Sequence, residues 1–266
     1  MRVTYRRQTN KVYWTKRWAD IPADQPMSNT DVYPLKFAEL TVQSKDGKIL
    51  EAGCGAGRVL RYYKNRGYNI IGMDFIEEAV RKLKEIDPEL NVEVGDITGT
   101  RYSDRAFKYV LAFGLFHNLQ TGLQKAFCET YRILEPKGKV CVSFRADNIE
   151  TRFTDWLAER KSRKGGFKTH PKIFHKLNLK KSELMDLLKR AGFQVETIYP
   201  VENMPFLYKF PLFRAKDQRV FNENLARKEG YRLSHSGRAI QNFLMRYFPE
   251  KFCNIYVLIA RKSEEF

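Results

Sequence analysis

Short apolar runs alternate with amphipathic stretches along the first part of this 266-residue chain. The apolar runs lie around 49–50, 68–73, 92–94 and 109–113, and each ends at a glycine or an acidic residue. Between the runs, apolar residues recur with the period of a helix. Strands that alternate with helices predict an α/β fold in which a doubly wound, mostly parallel sheet is covered by helices on both faces.

The second part of the chain continues this pattern less regularly. A helix is predicted at 179–191, and three further strands are predicted at 139–144, 193–199 and 253–260. Residues 146–180 have no clear period and are rich in Lys and Arg. We therefore expect this segment to be irregular, with a mobile basic loop at 160–168.

One glycine-rich segment, residues 48–58, has the pattern of a ligand-binding turn. Ile49 and Leu50 lead into Glu51, and Gly53, Gly55 and Gly57 follow at every second position. The order strand, glycine turn, helix lets a ligand approach the main chain without a Cβ in the way. The N–H groups at the start of the next helix favour a negatively charged ligand group.

The spacing of these glycines distinguishes between the known nucleotide-binding motifs. The dinucleotide motif G-x-G-x-x-G fails, because its third glycine would fall on Arg58 or Leu60. A phosphate-binding P-loop fails as well, since no Gly-Lys-Ser/Thr follows. The pattern E-x-G-x-G-x-G instead resembles motif I of the class I S-adenosylmethionine (SAM) methyltransferases.

Three later segments extend the resemblance. Asp74 follows the second strand about 20 residues past the glycines, where such folds place a carboxylate for ribose hydroxyls. Asp96 and Ile97 follow the third strand, and residues 131–140 resemble a helix–turn–strand segment of the UbiE-like (methyltransferase type 11) branch. The resemblance covers roughly residues 48–145. It implies a Rossmann-like, seven-stranded sheet with an antiparallel last strand.

The resemblance also implies a cofactor and the residues that hold it. The cofactor is SAM, which is converted to S-adenosylhomocysteine (SAH), and no metal is required. Asp74 is expected to hold the ribose and Asp96 the adenine amino group, with Phe75 near both rings and Ile97 covering adenine. The full set of cofactor-binding residues is Glu51, Gly53, Gly55, Gly57, Asp74, Phe75, Asp96, Ile97 and Phe113.

His117, just past the fourth strand, is the candidate catalytic residue. Its unperturbed pKa of about 6.5 suits a general base at neutral pH. A base is needed only if the acceptor is a hydroxyl, a thiol or an acidic carbon, so His117 could equally pack or contact substrate. Trp14 is a candidate to face the sulfonium, since an aromatic ring attracts a cation. Trp18, one helical turn further, is expected only to anchor the arm.

The chain departs from the family pattern at two places. Lys108 stands where an acid usually begins the fourth strand, a position that is structural in the family. The motif Asn/Asp-Pro-Pro-Tyr/Phe is missing after that strand, where Phe113-Gly114-Leu115-Phe116 stands. Its absence argues against amino methylation of DNA bases and leaves other RNA chemistry open.

About 50 residues separate the last two predicted strands, which is too long for a plain loop in a compact domain. This insertion is rich in aromatic and basic residues, and we expect a helical lid over the substrate side, with a dimer interface as the alternative. The predicted parts are an N-terminal arm (1–47), the SAM-binding core (48–199), the lid (200–251), and the last strand and tail (252–266).

Within residues 31–150, acidic and basic side chains nearly balance. The net charge of +17 therefore lies almost entirely in the rest of the chain. Such an excess attracts an anionic acceptor, an anionic membrane surface or nucleic acid, or simply keeps the protein soluble. The leading prediction is methyl transfer to a small or lipid-linked, anionic or amphipathic acceptor. Methylation of tRNA or rRNA and non-catalytic SAM binding are the alternatives.

The location of the protein is predicted from what the sequence lacks. No run reaches the ~18 apolar residues of a membrane span, and the start has no apolar signal segment. Cys54, Cys128, Cys141 and Cys253 show no metal-binding spacing, and we expect reduced core thiols. These features predict a cytoplasmic protein, with contact to a membrane surface as an option.

Overall fold

The computed structural model describes residues 1–164, 173–221 and 230–263. The strands are β1 (Arg2–Arg6), β2 (Ile49–Ala52), β3 (Ile70–Asp74), β4 (Val92–Val94), β5 (Phe107–Ala112), β6 (Leu134–Arg145), β7 (Ile173–Asn178), β8 (Phe193–Val201) and β9 (Ile255–Lys262). The helices are α1 (Asn10–Asp20), α2 (Leu35–Thr41), α3 (Arg58–Lys64), α4 (Glu77–Ile86), α5 (Leu123–Ile133), α6 (Ile149–Lys164), α7 (Lys181–Arg190), α8 (His235–Tyr247) and α9 (Pro249–Phe252).

Seven strands form one sheet in the order β4-β3-β2-β5-β6-β9-β8. The central pairs are parallel, with Ile49 of β2 facing Ile70 of β3 on one side and Tyr109 of β5 on the other. Every residue of β2 and β3 is buried, as expected for parallel strands that are covered on both faces. The predicted Rossmann-like fold with an antiparallel last strand is confirmed.

The described residues separate into two compact units. The first contains residues 1–145, 173–199 and 257–263, and the second contains 146–164, 200–221 and 230–256. The cofactor-binding strands β2 to β5 all belong to the first unit. The second unit therefore combines the segment after β6 with most of the insertion before β9.

A second, two-stranded sheet in the first unit joins the start of the chain to a distant segment. β1 pairs antiparallel with β7, so that Thr4 faces Lys176 and Arg2 faces Asn178. The expectation that residues 146–180 are irregular was wrong, because this segment contains α6 and β7. A bulge opposite Thr4 and Tyr5 interrupts the alternation of residues along β7. Its partner strand lies about 170 residues away in the chain. Residues 165–168 of the expected mobile loop lie outside the described residues.

The N-terminal arm contains helix α1, which is tied to α4 by one lysine. The Lys82 ammonium donates hydrogen bonds to the backbone carbonyls of Trp18, Ala19 and Ile21, at 3.2, 2.6 and 2.8 Å. The last carbonyls of a helix have no partner within the helix and carry partial negative charge. A cation at this end therefore both satisfies and stabilises the end of α1.

The second unit has its own small core, formed by Leu207, Tyr208 and Leu233. Two buried polar residues brace it. Gln241 of α8 accepts a hydrogen bond from the Leu207 N–H at 3.0 Å, and the Asn254 amide donates to the Met204 carbonyl at 2.7 Å. Short 3₁₀ turns at Phe206–Lys209, Pro211–Phe213 and Lys216–Gln218 fill the segment before α8.

The structure also bears on the expectations for the cysteines and for membrane-spanning helices. Cys54, Cys141 and Cys253 are buried free thiols, whereas Cys128 is exposed, which corrects its assignment to the core. Within residues 1–164, 173–221 and 230–263, none of the helices combines the length and the apolar character that crossing a bilayer needs.

Replacing Lys82 with Met tests how the arm is held. The variant loses three charge-assisted hydrogen bonds at a partly exposed site, so we expect the free energy of unfolding to fall by about 1–2 kcal/mol. Amide hydrogen exchange in residues 10–20 should become faster. Lys84→Met, which changes an exposed lysine of the same helix, is the control. Equal exchange rates in the two variants would show that Lys82 does not hold α1.

Candidate active site

The glycine turn between β2 and α3 has a backbone that only glycine adopts readily. Gly53, Gly55 and Gly57 have φ values of +74°, +52° and +66°. The N–H groups of Gly53 and Cys54 both donate to the Met73 carbonyl, at 2.7 and 3.1 Å. The turn is therefore bonded to the end of the neighbouring strand β3.

Side chains pack closely on two of these glycines. A Cβ on Gly55 would lie 2.5 Å from the Trp18 ring, and a Cβ on Gly57 would lie 2.7 Å from Leu83. Trp14 stacks on Trp18 with ring centroids 5.3 Å apart. Trp18, which was expected only to anchor the arm, thus anchors it directly against the glycine turn.

Asp74 connects the end of β3 to the glycine turn. Its Oδ2 accepts a hydrogen bond from the Gly55 N–H at 2.8 Å, and its Oδ1 accepts one from the Ile76 N–H at 2.9 Å. Burial raises the pKa of this carboxyl, and these backbone hydrogen bonds oppose the rise. A carboxylate has about four acceptor positions, so Asp74 can still accept hydrogen bonds from two ligand hydroxyls.

Glu51, at the end of β2, is a buried acid of unusual pKa. Its side chain is only 6% exposed, and burial raises its pKa to about 8. The negative charge of Asp74 adds to the rise, whereas Arg58 opposes it. Glu51 Oε2 accepts no hydrogen bond from any group in the described part of the chain. A cationic ligand group beside this oxygen would favour ionisation of the carboxyl.

The next candidates lie after β3 and β4. Phe75 follows Asp74 and is 53% exposed, and the Lys11 ammonium lies 5.8 Å from its ring centroid. Asp96 is exposed, and its Oδ1 accepts a hydrogen bond from the Thr98 N–H at 2.8 Å. Ile97 is buried. Phe75 therefore offers the larger exposed apolar surface for a planar ring.

Phe113 packs beside a polar network at the carboxyl ends of β5 and β6. The Ser143 hydroxyl accepts a hydrogen bond from the Gly114 N–H at 2.8 Å and lies 2.9 Å from the Tyr33 hydroxyl. Tyr33 packs edge-on against Phe113 at 5.8 Å, and burial raises the pKa of Tyr33 to about 12. Tyr33 and Ser143 are not among the site residues that the sequence predicts. The signal for Ser143 was a single polar residue inside an apolar strand.

His117 lies in a 3₁₀ turn, Phe116–Asn118, and packs edge-on against Phe144 at 5.8 Å. Burial holds the pKa of His117 well below its usual range, and the charges of Arg145, Lys176 and His175 lower it further. Its Nδ1 is buried and has no hydrogen-bond partner among the described residues. The imidazole is therefore neutral at physiological pH and is a weak base.

Most of the candidate residues thus fall into two groups, and Asp96 and Ile97 lie apart from both in the chain, after β4. Glu51, the glycine turn and Asp74 form one bonded cluster at the ends of β2 and β3, with Phe75 directly after Asp74. Phe113 and His117 follow β5, in the region of the Tyr33–Ser143 network. Both groups lie at the carboxyl ends of parallel strands, where open α/β sheets bind ligands.

The raised pKa of Glu51 predicts how the stability of the ligand-free protein depends on pH. A folded-state pKa of about 8, above the ordinary 4.5, stabilises the fold below pH 4.5, and this contribution is lost as pH rises toward 8. Glu51→Gln removes the titrating group. We therefore expect the melting temperature of Glu51→Gln, relative to that of the wild type, to increase between pH 5 and pH 8.5.

The control is Glu89→Gln, which changes an exposed carboxylate. Its melting temperature should follow that of the wild type across the same pH range. Parallel curves for the wild type and Glu51→Gln would show that Glu51 titrates normally.

Comparison with known proteins agrees with this geometry. Residues 50–142 match the family described as "Methyltransferase domain" (Methyltransf_11). A probable SAM-dependent methyltransferase of Mycolicibacterium smegmatis is 28% identical over 148 residues, which are 56% of this chain and 52% of the relative. Demethylmenaquinone methyltransferase of Renibacterium salmoninarum is 28% identical over 97 residues, 36% of this chain and 40% of the relative.

A solved structure shares the fold over nearly the whole chain. The putative methyltransferase of Haloferax volcanii, in complex with the Trm112 methyltransferase activator, has a TM-score of 0.60 at 13% identity. The match covers 97% of this chain and 99% of that one. The chain spans about half the length, or less, of these two curated relatives. By its matched domain over residues 50–142, its fold and its relatives, the chain is similar to the class I SAM-dependent methyltransferases, among them a demethylmenaquinone methyltransferase.

Proposed function

We propose that this protein transfers a methyl group from SAM to a small or lipid-linked acceptor of anionic or amphipathic character. The observation that carries the proposal is the buried Asp74 carboxylate. It is bonded to the glycine turn and is followed directly by the exposed ring of Phe75. A carboxylate beside an exposed aromatic ring suits a ligand that joins a ribose to a purine.

The other residues fit the remaining parts of this cofactor. Asp96, exposed after β4, is placed for the adenine amino group in the family pattern. Glu51 Oε2 has no protein partner among the described residues, and its carboxyl would ionise beside the ammonium of the methionine moiety. The glycine turn follows closely after Glu51 and is bonded to Asp74 through the Gly55 N–H, so it lies beside both acids. The residues present therefore fit SAM.

Bound SAM supplies a methyl group on a positively charged sulfur that leaves as a neutral thioether. The contribution expected of the chain is to hold the acceptor in line with that bond, which can supply much of the rate. The Tyr33–Ser143–Gly114 hydrogen bonds fix the backbone after β5. His117 is neutral and could accept a proton from a hydroxyl or thiol acceptor, but its low pKa makes a contact with substrate the better role.

The second unit is the proposed contact for an amphipathic acceptor. One face of α8 carries Ile240, Phe243 and Tyr247, at helical spacing and exposed to solvent, with Phe243 54% and Tyr247 59% exposed. The Arg246 guanidinium and the Lys251 ammonium lie 5.8 and 5.3 Å from the rings of Tyr247 and Phe248. Apolar groups rimmed by cations suit an anionic amphiphile or an anionic membrane surface. We propose that residues 200–251 act as a lid over the acceptor.

Methylation of tRNA or rRNA is the second candidate, favoured by the net charge of +17. Nucleic acid would then co-purify with the protein and raise the ratio of absorbance at 260 nm to that at 280 nm. A nucleic-acid-free preparation that transfers the methyl group of labelled SAM to a lipid or small-molecule fraction would support the leading proposal. Labelling of the RNA fraction alone would replace it.

Asp74→Ala tests cofactor binding. The ribose hydroxyls lose a charged acceptor, so we expect the affinity for SAH to fall by about 1.5–3 kcal/mol in calorimetry. Asp74→Asn keeps the shape and one acceptor oxygen, and separates loss of charge from damage to the turn. Asp46→Ala, at an exposed loop, is the control and should bind normally. Unchanged SAH affinity in Asp74→Ala, or comparable binding of NAD, would refute the assignment.

The double variant Phe243→Ser/Tyr247→Ser tests the exposed face of α8. Both side chains are more than half exposed, so the fold and SAH affinity should change little. Transfer of labelled methyl to the lipid fraction of a cell extract should fall at least tenfold if this face contacts an amphipathic acceptor. A variant that keeps full activity but changes from dimer to monomer would identify the face as a contact between copies instead.

A further inference from the structure

Cationic side chains gather at the edge of the first unit where β1, β6 and β7 meet. Arg145 ends β6, and its carbonyl accepts a hydrogen bond from the Leu179 N–H at 2.9 Å, directly after β7. Within β7, the bulge brings two consecutive residues to Thr4. The Thr4 hydroxyl lies 3.5 Å from His175 Nδ1 and 3.4 Å from the Lys176 carbonyl.

Side chains of this region act electrostatically on His117 and on the polar network after β5. The charges of Arg145, Lys176 and His175 all act on the imidazole of His117. Arg145 acts on Tyr33 as well, so its charge is felt at both groups. Along β6, Ser143 and Arg145 share one face because successive side chains alternate, which places their Cα atoms about 7 Å apart. The Ser143 hydroxyl is the one that holds the Gly114 N–H.

Two buried polar groups in this region have no hydrogen-bond partner among the described residues. Asn178, at the end of β7, has 0% relative exposure, and neither Nδ2 nor Oδ1 of its amide has a partner. His117 Nδ1 is the second such group. A buried amide without a partner destabilises a fold, so its presence beside a group of cations suggests that a ligand satisfies it.

A second contact positions the turn that carries His117. The Asn10 amide donates to the Asn118 carbonyl at 2.7 Å, and Asn10 Oδ1 accepts a hydrogen bond from the Arg6 guanidinium of β1. The strand pair β1–β7, the start of α1 and the 3₁₀ turn are thus linked by side-chain hydrogen bonds. The cations are held on regular elements, which is how a binding site keeps its geometry.

We propose that His117, Arg145, His175, Lys176 and Asn178, the anion cluster, bind an oxyanion of the methyl acceptor, either a carboxylate or a phosphate. The positive charges of Arg145 and Lys176 attract the anion, the Asn178 amide donates a hydrogen bond to it, and an imidazole N–H of His175 can donate as well. This inference rests on the proposed methyl transfer and narrows its acceptor to an anion. The acceptor would be held at the carboxyl end of β6, next to the segment that follows β5.

Inorganic phosphate and acetate are the probes that test the anion cluster. Each is titrated calorimetrically into the full-length protein with SAH, at constant ionic strength maintained with chloride, and again without SAH. The anion that binds more tightly, phosphate or acetate, identifies the chemistry of the oxyanion. Lys176→Gln should weaken binding about tenfold, the effect of losing one charge-assisted hydrogen bond. SAH affinity should stay within twofold of the wild type.

The matched control is Lys108→Gln, which removes one lysine near the amino end of β5, at the opposite edge of the sheet. It should bind phosphate and acetate as the wild type does. If Lys176→Gln and Lys108→Gln behave alike, or if the wild type binds neither anion in preference to chloride, the anion cluster is refuted. Failure of SAH to bind would instead count against the proposed function, since the titrations without SAH judge the cluster separately.

Asn178→Leu provides a second test that separates binding from folding. The substitution removes a buried amide that has no partner among the described residues and replaces it with an apolar group of similar size. The melting temperature should therefore stay the same or rise, while binding of the preferred anion falls about tenfold. A lower melting temperature with unchanged anion binding would show that the amide is structural and would overturn its role.

Vesicles distinguish a lipid headgroup from a free phosphate as the source of the anion. Sedimentation with phosphatidylglycerol vesicles should be reduced in Lys176→Gln, relative to Lys108→Gln, if the cluster binds a lipid phosphate. Equal sedimentation of the two variants, together with tenfold weaker binding of inorganic phosphate to Lys176→Gln, would assign the cluster to a water-soluble anion.

Discussion

The two hydrogen bonds that Asp74 accepts from the Gly55 and Ile76 N–H groups fix the geometry on which the rest of the site depends. They join the end of one strand, the turn after another strand and the start of a helix through one buried carboxylate. The left-handed glycines are needed because the turn must lie within reach of this carboxylate, and they also leave room for Trp18 to pack on Gly55. A change in any one of these residues would move the others.

Burial shapes the chemistry of both groups of candidate residues. It raises the pKa of Glu51 to about 8 and lowers that of His117, so that each tends to be neutral in the absence of a ligand. Their neighbours differ in charge, since Asp74 lies near Glu51, whereas Arg145 and Lys176 lie near His117. The first group therefore suits the cationic end of a cofactor, and the second suits an anion.

The sequence predicted the cofactor-binding half of the fold because its signals are local. The alternation of strand and helix, the E-x-G-x-G-x-G spacing and the acid after the second strand all lie within about 25 residues of one another. The pairing of β1 with β7 could not be predicted in this way, because its register depends on a bulge and on a partner far along the chain. Tyr33 and Ser143 were missed for the same reason, since only the folded chain brings them together.

The β1–β7 pairing also bears on how the protein is made. β1 leaves the ribosome well before its partner strand, which follows only after roughly 170 further residues have been synthesised. Closing so long a loop is slow, and the exposed edge of β1 must avoid other partners during that interval. Its arginines Arg2 and Arg6 provide that protection, since charges on an unpaired edge discourage association with other chains. In the folded protein the same two arginines lie opposite Asn178 and Ile173 of β7, so residues that protect the nascent chain also add positive charge beside this strand pair.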